Sequence, residues 1–239
     1  MQQSQSGVLA EQSERFADTE LIAERIGEVL IDSPPATLAK GDFIRDGVDD
    51  KLDDLEQVRL SGWHTDDSYF EAPAKATLLQ SIAIPDSGGQ TRFCNTRAAY
   101  EDLEENEKQR LSALKAAHRY DTPRASARPK ARSAEEEAET PEVIHPIIRT
   151  HDDSGIKAIY LNPNRTDRVI DVDHDESETI LEWIYSRMTQ DKYRYDHEWR
   201  VGDLIIWDNR CLVHSVNMDF PVGQKRLHQR ILLRGKRPV

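Results

Sequence analysis

Two side chains in the stretch SGWHTDDSYF, residues 61–70, are of the types that hold a metal ion: His64 and Asp66. Residues two apart on a strand share a face, so this imidazole and this carboxylate could grip one cation together. The same pair would serve equally well as the polar edge of an ordinary strand. A third ligand and an anchor for a substrate decide between the two readings. Eight histidines are available, at 64, 118, 145, 151, 174, 197, 214 and 228. His118 ends a charged run, His145 precedes a proline, and His174 and His197 lie in acidic or aromatic surroundings. His214 differs, because it follows the apolar run LIIWDN where the chain is expected to leave a sheet and can aim a ring into a cavity. Two imidazoles and one carboxylate on one face of an octahedral ion leave three adjacent positions open, the coordination of non-haem Fe(II) oxygenases.

Those three positions suit a bidentate 2-oxo acid and dioxygen. The far carboxylate of such an acid requires a cation. Arg230, in the strand-like run after His214, offers a planar fork that can hold a carboxylate with two hydrogen bonds. Thr91, just beyond a glycine pair, offers a hydroxyl to the same carboxylate. Other residues nearby take quieter roles. Asp67 is expected to point to the face opposite Asp66. Cys211 stands three before His214, but no second such pair supports a zinc site, so a buried free thiol is expected. Trp207 is assigned to the core, and Asp208 and Asn209 to the turn that aims His214. Tyr69, Asn162 and Arg165 are candidates for the lining of a substrate pocket.

These residues need elements to carry them. ATLLQSIAI (76–84) and TRFCN (91–95) read as strands around the turn PDSGGQ. HPIIRTH and IKAIYLN read as strands, and EWRVGDLIIWDNRCLVHSV as a turn at Gly202 followed by an apolar strand. RLHQRILLRG reads as a last strand. Helices are predicted over 17–30, over 96–118 with Thr96 as N-cap, and over 175–190 with Ile180, Leu181, Ile184, Tyr185 and Met188 facing the core. Residues 1–13 are expected to form a flexible tail, 31–57 to be irregular, and 120–142, rich in proline, arginine and then acids, to form a mobile loop or lid. Short strands interrupted by helices predict a mainly β sandwich or barrel-like core with helices packed outside.

Composition narrows the function classes. The chain has 239 residues, enough for one domain with a real core. A net charge of −12 argues against general nucleic-acid binding, which needs a basic surface, but leaves room for a small anion held by local arginines. No apolar run approaches the length of a membrane span. The first twenty residues lack the pattern of a secretory signal, and two unspaced cysteines fit a reduced, cytoplasmic protein.

Four separated motifs carry a family resemblance: WHTDDSYFEAPAKATLLQSIAIPDSGGQTRFCNTRAAYEDL, HPIIRTHDDSGIKAIYLN, GDLIIWDNRCLVHS and HQRILLRGKRP. In type, order and approximate spacing they resemble the taurine dioxygenase/TfdA family of Fe(II)/2-oxoglutarate-dependent dioxygenases, over residues 58–238 of a single domain taken as 1–239. The resemblance implies a double-stranded β-helix, or jelly roll. It implies Fe(II) ligands at His64, Asp66 and His214, and 2-oxoglutarate anchors at Thr91 and Arg230, with Arg226 a further basic position beside them. It implies O2 as oxidant and hydroxylation of a small, anionic organic molecule, with release of succinate and CO2. Desaturation, epimerisation, a silent binding protein and a zinc hydrolase remain as alternatives. Family members usually carry a longer N-terminal region, so part of that region's strands is expected to be missing. Leu60 stands where taurine dioxygenase has an asparagine, which argues against taurine itself. Members often form dimers or tetramers, which allows a homo-oligomer here.

Overall fold

The computed structural model describes residues 29–30, 44–48, 62–125 and 133–239. Their architecture is mainly β, with a few helices against the sheets. The strands are β1 (Val29–Leu30), β2 (Ile44–Val48), β3 (Ala74–Ala83), β4 (Thr91–Asn95), β5 (Lys115–His118), β6 (Val143–Pro146), β7 (Ile148–Thr150), β8 (Lys157–Ile159), β9 (Thr166–Val169), β10 (Arg194–His197), β11 (Leu204–Asp208), β12 (Leu212–Val216) and β13 (Arg226–Arg234). The helices are α1 (Thr96–Glu101), α2 (Glu105–Ser112), α3 (Ala134–Glu139) and α4 (His174–Met188). The larger sheet runs β1-β13-β3-β11, with β2 also paired to β13. A second sheet has the order β10-β4-β12, a third β6-β5-β9, and β7 pairs with β8. Every pairing among these strands is antiparallel.

Two registers position the site. Trp207 of β11 and Leu232 of β13 both stand opposite Thr77 of β3. His214 of β12 stands opposite Phe93, and Val216 opposite Thr91. Alternation along β13 puts Arg226, His228 and Arg230 on one face. The main core lies under α4, whose Ile180, Leu181, Ile184 and Met188 pack with Ile147, Ile159, Leu161 and Val213. Each such aliphatic side chain contributes about 1.5–3 kcal/mol on full burial. Asp173 caps this helix by accepting a hydrogen bond from Glu176 N at 2.8 Å. Tyr185 is only partly buried beside that cluster.

Several elements differ from the sequence expectation. The helix predicted over 96–118 is two helices and a strand. Asn95, not Thr96, is the N-cap of α1, accepting from Ala98 N at 3.0 Å. Glu104 opens α2 with a capping box closed by Glu107. Lys115–His118 then joins a sheet, between β6 and β9, because Ala116, Ala117 and His118 bury their side chains there. Tertiary pairing outweighs the helix preference of alanine and lysine. His214 lies in the middle of a strand, not at the exit from one. A strand forms over 44–48, where irregular chain was expected, and Val29–Leu30 pairs with β13 where the helix over 17–30 should end. The rest of those two segments, and the tail 1–13, lie outside the described residues. Within the expected loop 120–142, residues 134–139 are helical. No helix among the described residues is long and apolar enough to cross a membrane.

Candidate metal centre

His64 is not on a regular strand. It makes an isolated antiparallel bridge with His214, in which His64 N donates to His214 O at 2.9 Å and His214 N to His64 O at 2.7 Å. The two rings therefore lie side by side, centroids 4.2 Å apart. Asp66 enters from the turn that follows. Asp67 continues that turn with φ of 57°, a left-handed conformation that aspartate tolerates better than most residues. His64 Nε2 and His214 Nε2 stand 3.9 and 3.8 Å from Asp66 Oδ1. The ligating atoms of the three residues all lie within 4.8 Å of one another. This is the one group of three or more histidine, cysteine or acidic residues so placed among the described residues.

The donor set fits a divalent ion of borderline hardness. It is two nitrogens and one oxygen, with no thiolate. His64 Nδ1 lies 2.9 Å from Gly62 O, which as a donor there leaves Nε2 as the ligating atom. Burial by itself would raise the Asp66 pKa, but the charges of His214, Arg230 and His64 and the hydrogen bond from Thr77 outweigh it, lowering the value to about 2. Burial, with the charge of His64, pushes His214 down to about 3. At neutral pH the site thus holds a carboxylate and a neutral imidazole, the states a metal ligand requires.

A buried network holds Asp66 in place. Thr77 Oγ1 donates to Asp66 Oδ2 at 2.5 Å, and Asn209 Nδ2 donates to Thr77 Oγ1 at 2.8 Å. Trp207 Nε1 donates to Asn209 Oδ1 at 2.9 Å, and Thr65 Oγ1 to Asn209 O at 2.7 Å. Asn209, expected to aim His214, thus steadies the turn of Asp66. Asp208 is occupied by Arg210 and His151. Asn162 lines the cavity, yet its polar atoms are engaged: Nδ2 donates to Thr65 O and Ser68 Oγ at 2.7 and 2.8 Å, and Oδ1 accepts from Asn164 N at 3.0 Å. It anchors the turn. Thr77 was missed in the sequence. Its only signal there is a hydroxyl next to the apolar pair Leu78 and Leu79, on a strand that carries a second hydroxyl at Ser81.

A cavity of about 160 Å³ opens beside His64 and Asp66, which line it together with Asp67, Tyr69, Asn164, Arg165 and Arg230; His214 stands behind them, outside the lining. Asp67 faces this cavity and does not turn away from it. Arg165 packs its guanidinium 4.9 Å from the Tyr120 ring and 5.9 Å from the Tyr69 ring. The expected anchors separate. Arg230 Nη1 donates to Asp66 Oδ1 at 3.4 Å, on the ligand side. Thr91 is brought instead to Arg226, whose Nη2 donates to Thr91 Oγ1 at 3.0 Å while its Nε donates to Gly89 O at 2.9 Å. Trp199, not singled out in the sequence, donates its indole N–H to the same hydroxyl at 3.0 Å.

Comparison with known proteins adds to this geometry. The family model for "Taurine catabolism dioxygenase TauD, TfdA family" matches residues 8–232. An alpha-ketoglutarate-dependent 2,4-dichlorophenoxyacetate dioxygenase of Burkholderia sp. (strain RASC) is 35% identical over 175 residues, covering 73% of this chain and 58% of that protein. An alpha-ketoglutarate-dependent sulfate ester dioxygenase of Pseudomonas putida is 32% identical over 196 residues, covering 79% and 64% respectively. The chain thus spans less than two thirds of the length of each of these relatives. The crystal structure of AAD-2 in complex with Mn(II) and N-oxalylglycine superposes with a TM-score of 0.69 at 27% identity, covering 86% of this chain and 71% of that one.

Proposed function

The chain belongs to the taurine catabolism dioxygenase TauD, TfdA family, and from that premise we propose that it is an Fe(II)- and 2-oxoglutarate-dependent dioxygenase. It hydroxylates a small, anionic organic molecule and releases succinate and CO2. The observation that carries the reading is the convergence of His64, Asp66 and His214 within 4.8 Å beside a cavity that also holds Arg165 and Arg230. On this reading the described antiparallel strands belong to a double-stranded β-helix, which their mainly β arrangement supports, and to a single domain, which the family match over residues 8–232 supports.

His64, Asp66 and His214 would hold the metal, which when bound supplies dioxygen activation coupled to oxidative decarboxylation of 2-oxoglutarate. The protein's own work is placement. Thr77, Asn209 and Asn162 fix the carboxylate and its turn. Thr91 and Arg226, bonded to each other and both buried, form a neutral and a cationic donor for the distal carboxylate of 2-oxoglutarate. Arg230 lies nearer the ligands, where it can meet the anionic end of either co-substrate or substrate. Arg165, held over Tyr69 and Tyr120, closes the far wall against water. Acids of the kinds named for the relatives, aryloxyacetates and sulfate esters, match this pair of arginines in charge.

Purified protein given Fe(II), ascorbate, 2-oxoglutarate and O2 is expected to release succinate. A panel of sulfate esters, aryloxy acids and small sulfonates should contain at least one compound that stimulates the release and is hydroxylated. The readout is one oxygen gained in mass or, where the hydroxylated carbon bears the heteroatom, cleavage into a carbonyl compound and the sulfate, phenol or sulfite, the fragments together carrying one added oxygen. Activity with zinc and no uptake of O2 would overturn the reading. A product lighter by two hydrogens would reassign the outcome to desaturation.

A further inference from the structure

Thr91 begins β4 and is 1% exposed, and its hydroxyl oxygen takes two hydrogen bonds. Trp199 Nε1 donates to Oγ1 at 3.0 Å, and Arg226 Nη2 donates to it at 3.0 Å. A hydroxyl has two lone pairs and one proton. With both lone pairs engaged, Thr91 has only its proton left to offer. Neither neighbour can receive that proton, because an indole N–H and a guanidinium are donors only. Both neighbours are also held in place. Arg226 is tied to Gly89 O. The Trp199 ring stands edge-on between His228, with centroids 4.4 Å apart, and His197, with centroids 4.7 Å apart.

We propose that Trp199 is a positioning residue that commits the Thr91 hydroxyl to donate, and so fixes this subsite as a receptor for the distal carboxylate of 2-oxoglutarate. The inference rests on the assignment of 2-oxoglutarate to this site. Without the indole N–H, one lone pair of Thr91 is released and the hydroxyl can rotate. Its proton is then no longer aimed before the acid arrives, and affinity falls by the share that preorganisation contributed. Trp199 itself touches no co-substrate.

The test is 2-oxoglutarate binding by calorimetry on Mn(II)-loaded protein without O2, for wild type, Trp199→Phe, Thr91→Val and the double variant. Trp199→Phe is expected to weaken binding about tenfold, the scale of one hydrogen bond. Because Trp199 acts through Thr91, the double variant should bind no more weakly than Thr91→Val alone. A 2-oxo acid of the same length without the distal carboxylate, 2-oxovalerate, should bind wild type and Trp199→Phe alike. Unchanged affinity in Trp199→Phe, or losses that add in the double variant, overturns the inference while leaving the enzyme reading intact. Wild type that fails to bind 2-oxoglutarate overturns both. A second measurement needs no Trp199 variant. In wild type loaded with Zn(II), one of the four indole N–H signals should move when 2-oxoglutarate is added and stay still in Thr91→Val. Four unmoved signals in wild type that binds the acid would refute the proposal.

Discussion

Thr77→Val separates the placement of Asp66 from its charge. Thr77 is wholly buried on β3, and valine has nearly the same shape, so the substitution opens no cavity. It removes the 2.5 Å bond to Asp66 Oδ2 and leaves Asn209 Nδ2 without its acceptor at Thr77. A hydrogen bond to a charged group is worth about 1.5–3 kcal/mol. Part of this loss appears as stability and part as metal affinity, where loss of an outer partner of a ligand costs roughly 10–100-fold. The Asp66 pKa rises from about 2 when this bond is lost, because the bond favours the ionised form. Arg230 and the imidazoles remain, so the group stays ionised at pH 7 and the loss is one of aim, not of charge. The assay is competition for Mn(II) against a chelator at pH 7, with thermal unfolding of the metal-free protein in parallel. Thr77→Ser, which keeps the hydroxyl, should bind metal close to the wild-type level. Equal Mn(II) affinity in Thr77→Val and wild type would refute the reasoning, since Asp66 would then need no second partner.

Other perturbations have equally definite outcomes. Arg226→Ala should raise the KM for 2-oxoglutarate by more than tenfold in a succinate-release assay; an unchanged KM would return the anchor to Arg230. Gly62→Ala should weaken metal binding and cost about 1–3 kcal/mol of stability in urea unfolding, because a Cβ there meets Asn164 Oδ1 at 2.5 Å beside His64; a wild-type midpoint would contradict this. Burial lowers the pKa of His145 to about 4 and of His214 to about 3, and lowers that of His118 and His228 as well. The unfolded chain binds these protons near pH 6.5 and the folded chain does not. Stability of the metal-free protein should therefore fall as pH drops from 6.5 toward 4, by about 1 kcal/mol per buried histidine at pH 5.5. Urea midpoints that are flat over that window would show the imidazoles to be solvated.

Parts of this architecture are legible in residue order, for reasons that can be named. Strand β3 announces itself through ATLLQSIAI, and helix α4 through the spacing of Ile180, Leu181, Ile184 and Met188. The trio His64, Asp66 and His214 stands out because few residue types can ligate and only one of the later histidines follows a long apolar run. The anchor is less legible. Arg226 and Arg230 lie on the same face of β13, so strand periodicity treats them alike, and only the position of β4 brings Thr91 to one of them. Segment 96–118 is opaque for another reason. KAAH carries no strand signal of its own and becomes a strand because neighbours on both sides bury it. Trp199 acts through a partner 108 positions away, and Thr77 is itself held by Asn209, 132 positions away, relations that local pattern does not encode.

The backbone bridge between His64 and His214 has a thermodynamic consequence. One hundred and fifty positions separate these imidazoles along the chain (214 − 64 = 150). Bringing the ends of so long a flexible loop together costs on the order of 4 kcal/mol in entropy. Here two peptide hydrogen bonds complete that closure during folding. An arriving ion therefore meets a chelate already assembled, and a slow drift of either segment carries both rings with it, leaving the bite between them unchanged.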